Sequence, residues 1–315
     1  MEKSKLADGA TATTLTLLSG LDGIDDLLKQ VSLTSRAVIV LAKTGKAVRA
    51  AKELAKIKAN VNTDMPPDQR SSALRHIASA LAEIGALEQA LALLKDMPNG
   101  TEHTSVLVSA ATVQANAGDV KKAVLTAEHI EAARYRAIVL SRIAIAQAKY
   151  GNAADGSKTL AKALLEADKI KHPFAQAYAY ERICQALIKV RHFGGLDNFD
   201  LTVRTAGLIS DNKLHAHTLW SLTIERQING DHKTAAKTAK MAEQATANIK
   251  STFTRVWMFS EIALEHLSAH RKAPAWSAFK RALAIAENLD SALGRSRALA
   301  RLASTLIKLS DSANN

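Results

Sequence analysis

Eight segments of this chain superpose on one landmark, and that internal repetition restricts the fold more than any other feature. Ser35–Gly45 and Ser141–Gly151 agree at six of eleven positions: a Ser, an Arg, Ile39/Ile145, an Ala, a Lys and the closing Gly. With that Gly as landmark, equivalent positions fall at Gly45, Gly85, Gly118, Gly151, Arg191, Gly230, His270 and Ser310, at spacings of 40, 33, 33, 40, 39, 40 and 40. Periods of this length mark a stack of helical hairpins, in which each hairpin buries its apolar face only against its neighbours.

Composition agrees. Hydrophobic residues make up 47% of the 315, yet aromatics only 4%, so the apolar content is largely Ala and Leu, which favour helix and allow close helix packing. Five Pro and 14 Gly give no sign of a β-rich fold. A solenoid needs no division into domains, so the expectation is one elongated body.

Within the repeat, the leading helix of each hairpin carries a single apolar stripe. Counting back from the landmarks, the eleventh residue is Leu74, Leu107, Leu140, Tyr180, Leu219, Phe259 and Leu299; the eighth is Ile77, Ala110, Ile143, Ile183, Leu222, Ile262 and Leu302. The seventh is Ala78, Ala111, Ala144, Cys184, Thr223, Ala263 and Ala303, and spacings of three and four put all three rows on one helical face. Gly118-Asp119, Gly151-Asn152 and Gly230-Asp231 predict tight turns, with Gly ending one helix left-handed and Asp or Asn capping the next. Five residues past the landmark, Ala50, Ala90, Ala123, Ala235 and Ala275 let the trailing helix cross closely. Breaks at 62–68, 97–100, 171–173 and 193–198, rich in Pro or Gly, fall where the register needs connections between helices.

These residues resemble the tetratricopeptide repeat. Leu74, Ile77, Ala78, Leu81, Gly85, Ala90 and Leu94 follow its large and small pattern, as do Phe259, Ile262, Ala263, Ala275, Phe279 and Ala282; the likeness spans 34 to 309. Departures are that Leu replaces most aromatics, that Gln114, Gln147, Arg226 and His266 stand where Tyr is usual, and that five spacings exceed 34 residues. A HEAT-like array is the structural competitor. The resemblance implies an all-α, right-handed superhelical solenoid of about seven helix-turn-helix repeats. Residues 1–10 are expected to be disordered and 11–33 to cap the first hairpin, with a short helix near Ile24–Val31. Repeats fill 34–293, a capping helix 294–309 closes the stack behind Arg295, Arg297, Arg301 and Lys308, and 310–315 form a tail.

In that family the leading helices line a concave groove that holds the partner. The ninth and second residues before each landmark are then the groove-facing candidates, and basic pairs recur at Arg36/Lys43, Arg142/Lys149, Arg182/Lys189 and Arg301/Lys308. Arg142, Lys149, Arg182 and Lys189 are the candidates for binding an acidic segment, and Tyr178, Trp220 and Trp257 for apolar anchors. The family's carboxylate clamp of Lys, Asn and Arg is not reproduced. Functionally the chain reads as a non-catalytic scaffold or adaptor for another protein's peptide or helix. A formal charge of +12 keeps RNA or single-stranded DNA as the alternative partner. An open-ended array also allows self-association.

Signals for enzyme chemistry in the sequence are weak. His215 and His217 point to different sides of one helix, His266 and His270 lack a third ligand, and Glu261 and Glu265 share an exposed face. No phosphate-binding loop or nucleophile motif occurs, so neither a catalytic residue, a metal site nor a cofactor is expected. The single Cys184 excludes an internal disulfide and fits a reducing compartment; with no membrane span or secretory signal, a cytoplasmic location is expected.

Overall fold

The computed structural model describes residues 2–21, 23–61, 65–195 and 197–311, and among these the chain is helical without strands. By its contacts the chain divides into two compact units, the first ending at Tyr150 and the second starting at Gly151. The first unit holds α1 (Glu2–Leu21), α2 (Leu27–Lys43), α3 (Ala47–Ala59), α4 (Pro67–Glu83) and α5 (Leu87–Ala92), which runs into a 3-10 turn, then α6 (Thr101–Asn116), α7 (Val120–Glu128) and α8 (Ala133–Lys149). The second holds α9 (Ala153–Asp168), α10 (Pro173–His192), α11 (Phe199–Gly207), α12 (Asn212–Ile228), α13 (His232–Ala247), α14 (Thr252–Ser268), α15 (Lys272–Glu287) and α16 (Ala292–Asp311). Within each unit the leading helices lie side by side, α2, α4, α6 and α8 in one and α10, α12, α14 and α16 in the other. Trailing helices pack behind them. This is a tetratricopeptide-like array of helical hairpins.

The apolar stripe is the core. From Leu74 to Phe259 the eleventh-position side chains are all buried, and so are the seventh-position residues from Ala78 to Ala263 and the five trailing Ala. Close crossing of helices at these small residues leaves no room for a larger side chain without displacement.

Turn chemistry ends each hairpin's leading helix. Gly230 has φ +76°, and after it Asp231 N–H returns to the Arg226 carbonyl at 3.0 Å while Asp231's side chain accepts from Thr234 N–H at 3.1 Å. The left-handed position satisfies the carbonyls that the helix leaves open, and the carboxylate satisfies an amide of the next. His270 takes the same conformation, at φ 57°, and Arg271 N–H closes on the His266 carbonyl at 2.9 Å. Asp119, expected to cap, makes no side-chain cap bond.

Several expectations need correction. Residues 2–10, expected to be disordered, belong to α1, which packs on α2, and Met1 lies outside the described residues. The Thr11 and Thr14 hydroxyls bond the carbonyls four residues back, and Thr11 also reaches Thr44 at 2.9 Å. The short capping helix expected at Ile24–Val31 is not separate: its residues from Leu27 on open α2, the first leading helix, where Asp26 accepts from Lys29 N–H. Arg191 is not a turn residue: α10 overruns to His192 and Gly194, at φ +88°, reverses the chain, although Tyr180, Ile183 and Cys184 keep the core register. Ser310 is likewise helical. Residues 62–64 of the first connection, Leu196 of the break at 193–198 and 312–315 of the tail lie outside the described residues.

Candidate functional site

In the second unit, polar side chains join the four leading helices α10, α12, α14 and α16 into one row. The thirteenth residues before the landmarks are Tyr178, His217 and Trp257, and the ninth are Arg182, Ser221, Glu261 and Arg301. On α10, Arg182 Nε sits 2.6 Å from Glu181 Oε2, and its guanidinium lies over the Tyr178 ring at 5.0 Å. Gln185 then donates to Ser221 Oγ of α12 at 3.1 Å, and Ser221 donates to Glu265 Oε2 of α14 at 2.7 Å. Lys213 Nζ reaches Glu261 Oε2 at 2.6 Å, and Glu261 also accepts from the Trp257 indole at 3.0 Å. Arg301 of α16 covers the Trp257 ring at 4.6 Å.

Burial tunes the charges in this row. Burial pushes the Glu181 carboxyl above its ordinary range, against the pull of Arg182, His217 and Lys213. Glu261 is held below its ordinary value, because Lys213, His217 and the Trp257 N–H together outweigh the burial that would raise it. His217 Nε2 lies 3.0 Å from Glu265 Oε1, in an ion-pair contact whose angle falls short of a hydrogen bond. Burial disfavours the charged ring, but the Glu265 and Glu261 carboxylates outweigh it and raise the pKa above 6.5.

A raised folded-state pKa means that the stabilisation is complete below the unfolded value and fades as pH rises through the folded one. Glu181 acts in the same direction from 4.5 upward. Thermal melts taken from about pH 6 to about pH 8.5 are therefore expected to lose midpoint in the native chain, and His217→Gln is expected to flatten that slope. An unchanged slope in the variant would contradict the assignment.

The row is not a hydrolytic triad. Ser221 and His217 both contact Glu265, so the carboxylate lies between them and the imidazole is not placed to take the Ser proton. Among the described residues no group of three or more His, Cys, Asp and Glu could hold a metal ion, and no helix is long and apolar enough to cross a membrane. Cys184 is buried, with its thiol pKa raised by burial, which suits a packing role. His266 is driven down to about 4 by burial and by Arg271, so it is a neutral ring at ordinary pH.

The candidates from sequence fall in different places. Tyr178 and Trp257 are exposed on α10 and α14 at the same repeat position, with Arg182 and Lys189 exposed on α10. Trp220 is placed otherwise: its indole N–H donates to Thr246 of α13 at 3.1 Å, and its ring meets Phe259 edge-on at 6.1 Å between centroids. It packs hairpins together. Arg142 and Lys149 belong to the first unit, where Arg142 donates to Thr112 Oγ1 at 3.2 Å and Lys149 lies over the Tyr150 ring.

No family model matches the chain, and no curated protein matches it. One solved structure to which it is similar is a Rap protein complexed with competence and sporulation factor, at 14% identity over 98% of this chain and 96% of that one, with a TM-score of 0.38. Agreement that low carries nothing about function.

A second polar assembly lies beside the loop after α10. Arg226, almost fully buried, donates to Asp197 Oδ1 and Oδ2 at 2.7 and 3.3 Å, approaches Asp231 at 3.5 Å and lies over the Phe199 ring at 4.2 Å. Arg191 pairs with Glu225 next to it. The Arg226 guanidinium, helped by Arg191, holds the Asp197 carboxyl below its ordinary range. These contacts fasten the loop to α12 at the edge of a cleft of ≈570 Å³.

Proposed function

We propose that this protein is a non-catalytic scaffold that binds a helical or extended segment of another protein along the leading helices of its second unit. The observation that carries the reading is the pair of exposed aromatics, Tyr178 and Trp257, set at one repeat position on either side of a row of hydrogen-bonded polar side chains. Fixed polar groups beside exposed rings give preorganised contacts at little ordering cost. Tyr178 and Trp257 act as anchors, with Arg182 and Lys189 meeting acidic side chains of the segment. Arg142 and Lys149 offer a separate basic contact on the first unit.

Nucleic acid is the weaker reading for this face. A phosphate-tracking surface needs a run of cations. Here Arg182 and Lys213 are paired with Glu181 and Glu261, which interrupt such a run. The partner is expected in the source cell, and a photo-crosslinking residue in place of the exposed Lys189 should capture it. The same residue in place of Lys240 on α13 should not. Equal yields from both positions would refute the proposed face. Once the partner is in hand, Tyr178→Ala and Trp257→Ala should each weaken binding by at least about tenfold, the effect of losing an aromatic anchor.

A further inference from the structure

The exposed rings of the second unit come in pairs. Four residues before Tyr178 and Trp257, seventeen before the landmarks, stand Phe174, exposed on α10, and Phe253, half-buried on α14 with its ring edge-on to Trp257 at 6.1 Å between centroids. The chain has only three Trp, four Tyr and six Phe, and no hairpin of the first unit has an aromatic at either position, so the two pairs are not a by-product of the repeat. On α12, which packs against both α10 and α14, Lys213 and His217 occupy these positions. The three leading helices therefore present ring, polar group, ring in two successive rows. The next row, Arg182, Ser221 and Glu261, is polar throughout.

The dimensions of this grid select what can lie on it. Along a helix axis, residues four apart are separated by about 6 Å. A ring-bearing band that narrow fits one extended chain, whose spacing in a sheet is about 4.8 Å, and not a helix about 10–12 Å across. Neighbouring helices pack about 8–10 Å apart, so the ring pairs of α10 and α14 are separated by roughly 16–20 Å. At about 3.3 Å per residue an extended chain crosses that distance in about five or six residues. Side chains six apart point to the same face of such a chain and those five apart do not, so six is the spacing that reaches both pairs.

Midway the chain passes Lys213. Glu261 takes one of its three ammonium donors, at 2.6 Å, which leaves two. The carboxylates of α14 are already engaged, Glu261 by Lys213 and the Trp257 indole, and Glu265 by Ser221 and His217. An acidic side chain two or four residues after the first anchor shares the anchors' face and meets Lys213. We propose that the second unit selects an extended segment of another protein with two large apolar side chains six residues apart, one on Phe174 and Tyr178 and the other on Phe253 and Trp257, and an acidic residue between them over Lys213. This rests on the scaffold reading and narrows the partner it takes.

The probe is a phage-displayed library of random peptides about twelve residues long, enough to span the band about twice, panned on the full chain. Enriched sequences are expected to hold two large apolar residues six apart, with Asp or Glu two or four after the first. One such peptide, fluorescently labelled and titrated by anisotropy, should bind the Phe174→Ala, Phe253→Ala double variant at least about tenfold more weakly than the native chain. Replacing its acidic residue by the amide should also weaken binding to the native chain, and Lys213→Gln should abolish that difference between the two peptides. Circular dichroism confirms that each variant is folded. Enriched peptides with a single anchor or with anchors three or four apart, or equal binding to the Phe174 and Phe253 variant, would overturn this inference and leave the scaffold reading standing. No enrichment at all would overturn both. A dimer in sedimentation that the Phe174 and Phe253 variant returns to monomer would overturn it in favour of a second copy.

Discussion

Leu219→Ala is expected to lower the unfolding free energy by about 2–5 kcal/mol, and Leu299→Ala by less than about 1 kcal/mol, although both remove the same atoms from the same repeat position. Leu219 is 1% exposed between α12 and α13, so its loss removes transfer free energy and leaves a cavity that neighbouring helices cannot close. Leu299 faces solvent on α16, where truncation leaves no void and Ala is the better helix former. Urea denaturation of the two variants reads the difference. Similar losses would mean that Leu299 is packed as its counterparts on the other leading helices are.

Arg226→Ala is expected to cost about 2–3 kcal/mol, below the ~3–5 kcal/mol of a fully buried pair, because Asp197 is 61% exposed and can rehydrate. Glu225 and Asp231 lose a positive neighbour as well, and Glu225 is itself buried. Arg226→Lys should recover only part of the loss. An ammonium cannot donate to both Asp197 oxygens at once or lie flat on Phe199. The Arg226 contribution should also fade in acid: Asp197's folded pKa is depressed, so its stabilisation is present above its ordinary value of 3.8 and disappears as pH falls through the folded one. An Arg226→Ala variant as stable as the native chain would make the clamp a surface decoration. Retained stability in Arg226→Lys would remove the argument from bidentate geometry.

What the sequence made legible follows from the range of the interactions. The eleventh, eighth and seventh rows, the turn at Gly230 and the trailing Ala are local patterns of three to five residues, and helical periodicity exposes them directly. The residues joining hairpins were harder to see. Gln185 to Ser221, Ser221 to Glu265 and Lys213 to Glu261 are contacts between positions 36, 44 and 48 apart, with no local signature. One signal was present. Tyr178 and Trp257 both stand thirteen before their landmarks, and the thirteenth residue of the hairpin between them is His217, which lies in the polar row; Trp220, chosen for its ring, stands ten before and turns to α13. Helix α1 is not legible in the sequence because its Thr-rich stretch has low intrinsic helix preference, and tertiary contact with α2 overrides that. The overrun of α10 to His192 is hidden because Arg191 occupies the register of a turn while Gly194 supplies the turn itself.

The binding claim is tested most directly by affinity capture from source-cell lysate with the native chain and with a Tyr178→Ala, Arg182→Glu, Trp257→Ala variant, each with and without nuclease. A discrete protein that the native chain retains after nuclease and the folded variant loses is the predicted result. Recovery of nucleic acid alone, of proteins that vanish with nuclease, or of the same protein by the variant would contradict it.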